Sequence, residues 1–240
     1  MMTHLDDSVG KIVGLVKELR IEKNTVIFFA GDNGYSHWGY FGRKPYTDDA
    51  LFKNKGPWPK GKFTCTHEGG QRVPFFVHWP GQIKPRESDH SCALYDFLAT
   101  AADLAGVAAP KTDGISLVPT LLGRPNQQRT HEYFYWENGT HSPHAQSARE
   151  GQWWAYRSHP SQAIQLYRLD RDLACEHNVA GDFPAVVKRF EAIFKEAHVN
   201  SEWYVNPGQS KAQIEAKRKR ARAMKGMQTP TRANTVFPTQ

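Results

Sequence analysis

The feature that most constrains this chain is the apolar run "TVIFFA" at residues 25–30, which stops abruptly at Asp32-Asn33-Gly34. Five apolar residues follow one another without alternation. That pattern predicts a strand covered on both faces, as in the parallel sheets of α/β folds. Ligands in open parallel sheets bind beyond the carboxyl ends of the strands, which is where Asp32 and Asn33 stand. A carboxylate and an amide carbonyl are hard oxygen donors suited to Ca²⁺ or Mg²⁺. The glycine that follows lets the chain turn sharply. The same three residues are also common turn formers, so the residues alone leave a turn and a metal site open.

The flanking segments support an α/β reading. Val9, Ile12, Val13, Val16 and Leu19 recur at helical spacing and predict a helix over 6–22. Residues 34–70 mix Gly, Pro, aromatics and lysines without period and read as a long loop, a place where function is often found. A second apolar strand, "VPFFVHW" at 73–79, closes on Pro80-Gly81. Residues 88–105 predict a helix with Leu94, Phe97, Leu98, Ala101, Ala102, Leu104 and Ala105 on its buried side and Gly106 as C-terminal cap. "DGISLVPTLLG" at 113–123 reads as a turn and a short helix. Beyond about residue 128 the texture changes. Short aromatic segments at 132–136, 145–150, 152–157 and 164–170 predict an antiparallel sheet. Residues 185–197 form one amphipathic helix with Val186, Val187, Phe190, Ile193 and Phe194 on a single side. The expected division is 1–128, 129–206 and a tail at 207–240.

The net charge of +7 is confined to that tail, where eight Lys or Arg face one acid; residues 1–206 balance. Runs of like charge are commonly solvated and unordered, which is the expectation for 207–240. No aromatic residues interleave with "KRKRAR", so nucleic acid is not the expected partner. Cys65, Cys92 and Cys175 are an odd, unpaired set that predicts neither a disulfide framework nor a zinc site. Cys92 falls in the helical pattern of 88–105 and reads as a small core residue. No apolar run reaches the roughly 18 residues of a membrane span. The first residues carry acids where a signal peptide would be basic, so compartment is not readable here.

A second stretch holds groups of the opposite sign. In "KGKFTCTHEGGQRVPFF" at 60–76, Lys60 and Lys62 precede Glu68-Gly69-Gly70 and Arg72. A lysine ammonium is a compact point charge suited to an oxyanion. Unaided, surface lysines in a loop are ordinary.

Taken in order, these segments resemble the formylglycine-dependent sulfatases, the arylsulfatase-like branch of the alkaline phosphatase superfamily. The strand ending in "DNG", the lysine-bearing loop, "EGGQRVPFFVHWPGQI", "DFLATAADLAG" and "DGISLVPTLLGR" follow the family's sequence. Leu166, Tyr167, Leu169, Asp172, Glu176, Asn178 and Ala180 match its C-terminal subdomain. The resemblance covers about residues 1–200. It implies the C-terminal part of an alkaline-phosphatase-like, mostly parallel sheet with flanking helices, followed by a small antiparallel subdomain with one helix. It implies hydrolysis of a sulfate ester, with a sulfated small molecule or glycan as substrate. Asp32 and Asn33 would hold a divalent cation, Ca²⁺ in most of the family. Lys62 would contact the sulfate oxygens, with Lys60 as the reserve because the gap to Glu68 is one residue longer than usual. Glu68 and Arg72 would hold the loop, while His37 and His67 could line the pocket but are set aside, since lone histidines are more often structural or exposed. Tyr35, Trp38, Tyr40, Phe41 and Trp58 are available to pack on a sugar or aryl ring, or simply to fill the loop.

One family element is missing. The nucleophile is an aldehyde hydrate made from the Cys or Ser of C/S-x-P-x-R, and neither version of that motif occurs in the 240 residues. The family's early paired aspartates and further sulfate-pocket residues are absent too. The chain is therefore expected to be the C-terminal portion of a sulfatase begun at an internal methionine, and inactive alone. A phosphate or phosphonate ester hydrolase of the same superfamily, and a non-catalytic remnant or glycan-binding module, are the alternatives.

Overall fold

The computed structural model describes residues 2–35, 56–58, 61–62, 67–138, 144–201 and 206–227. The chain forms two compact units, one of residues 1–34 and 72–134, the other of 35–71 and 135–240.

In the first unit, helix α1 (Met2–Glu18) runs one turn earlier than its apolar spacing predicts. It ends because Arg20 turns left-handed (φ 56°) and the Ile21 amide reaches back to the Val16 carbonyl at 3.2 Å, a Schellman-type closure. Strand β1 (Ile27–Ala30) pairs with β2 (Phe75–His78), Ile27 opposite His78 and Ala30 opposite Phe75. The pairing is antiparallel. The parallel neighbours expected of β1 do not occur among the described strands, and Ile27, Phe28 and Phe29 are half-buried rather than fully covered. On one face Phe28 meets Phe75 and the edge of Phe97; on the other Phe29 meets Phe76.

Helix α3 (Asp96–Leu104) follows a one-turn helix of the second unit, α2 (Glu68–Gln71), in chain order. It starts later than residue 88 and buries a different face from the one expected. Leu94, Phe97 and Leu98 are about half exposed, whereas Asp96, Ala99, Thr100 and Ala102 are buried. The reason is hydrogen bonding. Asp96 Oδ2 accepts the Ala93 amide at 2.8 Å and Oδ1 accepts the Ile115 amide at 2.8 Å, with His131 Nε2 at 2.8 Å from the same oxygen. Thr100 Oγ1 donates to the Asp96 carbonyl and accepts the Leu117 amide. The segment leading into α4 (Val118–Leu121) is thus stitched along the polar side of α3. Gly114 permits this, since a Cβ there would overlap the Tyr95 carbonyl. Gly106 caps α3 as expected, at φ 68°. Cys92 lies exposed, ahead of the helix rather than in the core. No residue of α1 is buried, and Leu5, Ile12, Leu15 and Leu19 stay largely exposed.

The second unit carries a sheet of β3 (Phe134–Asn138), β4 (Ala145–Glu150), β5 (Trp153–Arg157) and β6 (Gln165–Arg168), in that order. The β4–β5 and β5–β6 pairs are antiparallel, as the sequence predicts. Helix α5 (Pro184–Ala197) buries Phe190, Ile193 and Phe194, and the sheet contributes Ala148, Trp154, Ala155 and Leu166 to the buried core. Asn178 Oδ1 accepts the Leu166 and Ala180 amides, and the Asp172 carboxylate accepts those of Glu176 and His177. The polar residues of the Leu166–Ala180 signature therefore build the turn after β6.

The tail departs from its expectation. Residues Lys211–Met227 form helix α6. Ser210 opens it with a capping box: the Gln213 amide donates to Ser210 Oγ at 3.3 Å and the Ser210 amide to Gln213 Oε1 at 2.9 Å. Ala, Lys, Arg, Gln and Met are strong helix formers, which charge alone did not reveal. No described helix is long and apolar enough to cross a membrane.

Candidate functional site

Asp32 and Asn33 directly follow β1. The Gly31 amide bonds the Pro74 carbonyl at 3.1 Å, so the strand pair holds the chain up to the residue before Asp32. The Asp32 side chain is exposed. Asn33 Nδ2 donates to the Gly34 carbonyl at 2.9 Å, which engages the amide nitrogen and leaves Oδ1 as the acceptor for a ligand. Two hard oxygens suit a divalent cation, but Ca²⁺ takes six to eight. No group of three or more Asp, Glu, His or Cys among the described residues could complete a shell.

Lys62 lies in the second unit, bonded to the start of the long loop. Its amide donates to the Tyr35 carbonyl at 2.7 Å, and Tyr35 Oη donates to the Trp58 carbonyl at 2.9 Å. A Cβ on Gly61 would overlap the Tyr35 carbonyl, so glycine is required beside Lys62. These bonds tie Lys62 to the residue two places beyond Asn33 in the chain. Lys60, His37, Trp38, Tyr40 and Phe41 lie outside the described residues.

Further along the chain, residues 67 and 68 are docked on the antiparallel sheet. The His67 ring sits 4.2 Å from Tyr156 on β5. The buried Glu68 carboxylate lies 3.6 Å from Arg149 on β4. The holding role assigned to Glu68 thus has a partner, as does His67, which sequence reasoning set aside. Arg149 and Tyr156 were missed, because no spacing along the chain links a strand at 145–157 to a loop at 61–71. The exposed Arg72 belongs to the first unit.

A polar chain runs through the second unit. Arg157 Nε donates to Gln146 Oε1, Gln146 Nε2 to Tyr135 Oη, and Tyr135 Oη to Glu137 Oε2; His198 Nδ1 lies 2.7 Å from that same carboxylate oxygen. Burial pushes the Tyr135 phenol up, so it remains a donor. The bond to Glu137 raises the His198 imidazole above its ordinary value, against the opposing effect of burial. Because the folded value is the higher one, the pair's contribution is full below the unfolded value of about 6.5 and is lost as pH rises through the raised folded value. The His198→Gln variant is therefore expected to be less stable than the parent by about 1 kcal/mol at pH 6, with the gap closing as pH rises through the raised folded value. Denaturant midpoints of the two proteins at several pH values measure it; a gap that widens with pH contradicts the assignment.

Residues 1–107 match the family described as Sulfatase, and residues 61–197 match the one described as N-sulphoglucosamine sulphohydrolase, C-terminal. The chain belongs to the sulfatase family, of which it covers the C-terminal portion.

Among curated relatives, N-acetylgalactosamine-6-sulfatase of Canis lupus familiaris is 32% identical over 181 residues, covering 74% of this chain and 32% of the relative. N-acetylgalactosamine-6-O-sulfatase of Bacteroides thetaiotaomicron is 26% identical over 216 residues, covering 81% and 40%. A solved Bacteroides thetaiotaomicron sulfatase from a study of glycosaminoglycan metabolism is 25% identical with TM-score 0.66, over 80% of this chain and 42% of that one. Ps i-CgsB, solved with k-i-k-neocarrahexaose, shares the fold at TM-score 0.66 and 23% identity, over 95% and 49%. The chain spans about a third of the length of the first curated relatives it matches.

Proposed function

We propose that this chain is the metal- and sulfate-holding C-terminal portion of a sulfate ester hydrolase. The observation that carries the reading is the backbone bond from Lys62 to Tyr35, close in sequence to the Asp32-Asn33 pair at the end of β1. Asp32 and Asn33 Oδ1 would hold a divalent cation, calcium by family resemblance. Such an ion draws charge off a sulfuryl oxygen.

The Lys62 ammonium neutralises a second sulfate oxygen, more strongly in the transition state as charge builds there. Gly61, Tyr35 and Trp58 fix the backbone that presents it, and the Glu68–Arg149 and His67–Tyr156 contacts hold the loop behind it. Attack on sulfur is no part of what these residues do, since C/S-x-P-x-R is absent from them. The organisation that goes with this reading is 1–128 from the α/β domain, 129–206 from the C-terminal subdomain, and a basic tail. N-acetylgalactosamine 6-sulfate is the first substrate to test, because several relatives are named for it.

The test uses a polypeptide in which these residues follow a nucleophile-bearing segment. Sulfate release from that sugar or from an aryl sulfate supports the reading. Faster hydrolysis of the matching phosphate ester would transfer the chain to the phosphate or phosphonate ester hydrolases.

A further inference from the structure

We infer that helix α6 is a docking surface for a sulfated polysaccharide chain, separate from the groups that hold the reacting sulfate. The inference rests on the reading of the substrate as a sulfated sugar and adds where the rest of a polymer would bind.

The charge argument is local. Residues 1–206 carry no net charge, and α6 itself holds seven Lys or Arg against the single acid Glu215. The helical conformation sorts these cations. At about 100° per residue, Lys211, Arg218 and Arg222 fall on one face at i, i+7 and i+11, with Lys219 beside them. All four side chains are exposed. Lys217 lies on another side, where its Nζ donates to the Ser201 carbonyl at 2.6 Å, so it anchors the helix. The stripe from 211 to 222 extends about 16 Å at the helical rise. The Ser210–Gln213 capping box fixes where it starts.

A straight row of exposed cations meets a linear polyanion along its length. Guanidinium forks match the tetrahedral oxygens of a sulfate in two-point contacts. Single-stranded nucleic acid would need aromatic platforms as well as charge, and α6 has no aromatic residue. The relatives point to sulfated sugars: one solved neighbour belongs to a study of glycosaminoglycan metabolism and another holds a carrageenan oligosaccharide.

The experiment measures affinity of the full 240-residue chain for immobilised chondroitin 6-sulfate over a salt series. The variant carries Lys211→Gln, Arg218→Gln, Lys219→Gln and Arg222→Gln, which keeps helix propensity. A control removes the same charge elsewhere through Lys84→Gln, Lys111→Gln, Arg124→Gln and Lys188→Gln, all exposed. The stripe variant is expected to bind at least about 100-fold more weakly at low salt, at roughly 1 kcal/mol per cation. Its plot of log affinity against log salt should be shallower by about 3, as four released counterions require. The control should bind like the parent. Equal loss in both variants, or no loss in the stripe variant, overturns the inference. So does parent binding to unsulfated hyaluronan or to single-stranded DNA as tight as to the sulfated polymer. Binding is read without turnover. A nucleophile-bearing polypeptide that hydrolyses sulfate esters yet binds unchanged after stripe removal would refute the docking surface alone.

Discussion

Purified by itself, the 240-residue chain is expected to release no sulfate from an aryl sulfate, with or without added Ca²⁺. Sulfate ester cleavage needs a nucleophile, neutralisation of the sulfuryl oxygens and a proton for the departing oxygen. The proposed residues would supply only part of the second. Asp32 and Asn33 would give two oxygens of a shell that takes six to eight, and no group of three or more metal-binding side chains occurs among the described residues. Added Ca²⁺ should accordingly bind weakly and rescue nothing. The expected effect is all or none, because C/S-x-P-x-R, which supplies the attacking group in the family that the chain resembles, does not occur in the 240 residues. The assay is release of a chromogenic phenol over long incubation, set against a buffer blank and a heat-treated sample. Turnover that survives purification and is lost in Asp32→Ala would contradict the account and would mean that a nucleophile has gone unrecognised among these residues.

The largest structural effect is expected at Asp96, which is fully buried in the first unit. Its two oxygens take the Ala93 and Ile115 amides and the His131 ring. The Asp96→Ala variant leaves two backbone amides without this acceptor and opens a void at the start of α3. Each orphaned amide costs roughly 1–3 kcal/mol, so the loss should be about 4 kcal/mol. That is a large share of the 5–15 kcal/mol typical of a domain. Asp96→Asn keeps one acceptor oxygen but turns an NH₂ toward a backbone N–H, and should lose about half as much. Denaturant midpoints report the loss, and hydrogen exchange at Ile115 and Leu117 localises it. A variant that melts with the parent and keeps those two amides protected would contradict this role.

The antiparallel subdomain was the most legible part of the fold. The expected strands "AQSARE" at 145–150 and "QWWAYR" at 152–157 agree with β4 and β5 to within one residue, and α5 followed from its apolar stripe. Local signals governed both. The first unit was harder because its apolar residues do not all face a core. Phe97 and Leu98 have helical spacing yet remain exposed, while Asp96 and Thr100 of the same helix are buried by partners some 20 residues later in the chain. Periodicity cannot see such a partner. The unalternated apolar sequence of β1 predicts parallel neighbours; the neighbour it has among the described strands, β2, is antiparallel, with ring contacts on both faces of the pair. At the site, Asp32, Asn33 and Lys62 came from residue chemistry and family resemblance. Arg149 and Tyr156 did not, because their contacts to Glu68 and His67 join segments about 80 residues apart. The basic tail shows the limit of charge as a guide: a run that reads as unordered is also made of good helix formers.

The measurement that bears most directly on the central claim is sulfate release by a polypeptide carrying the nucleophile segment ahead of these residues, compared with its Asp32→Ala and Lys62→Ala variants, with bound metal determined in each. The account predicts a fall of about 100-fold or more in kcat/KM for either change, with metal lost from Asp32→Ala and retained in Lys62→Ala. Undiminished hydrolysis in both variants, with metal content unchanged, would contradict it.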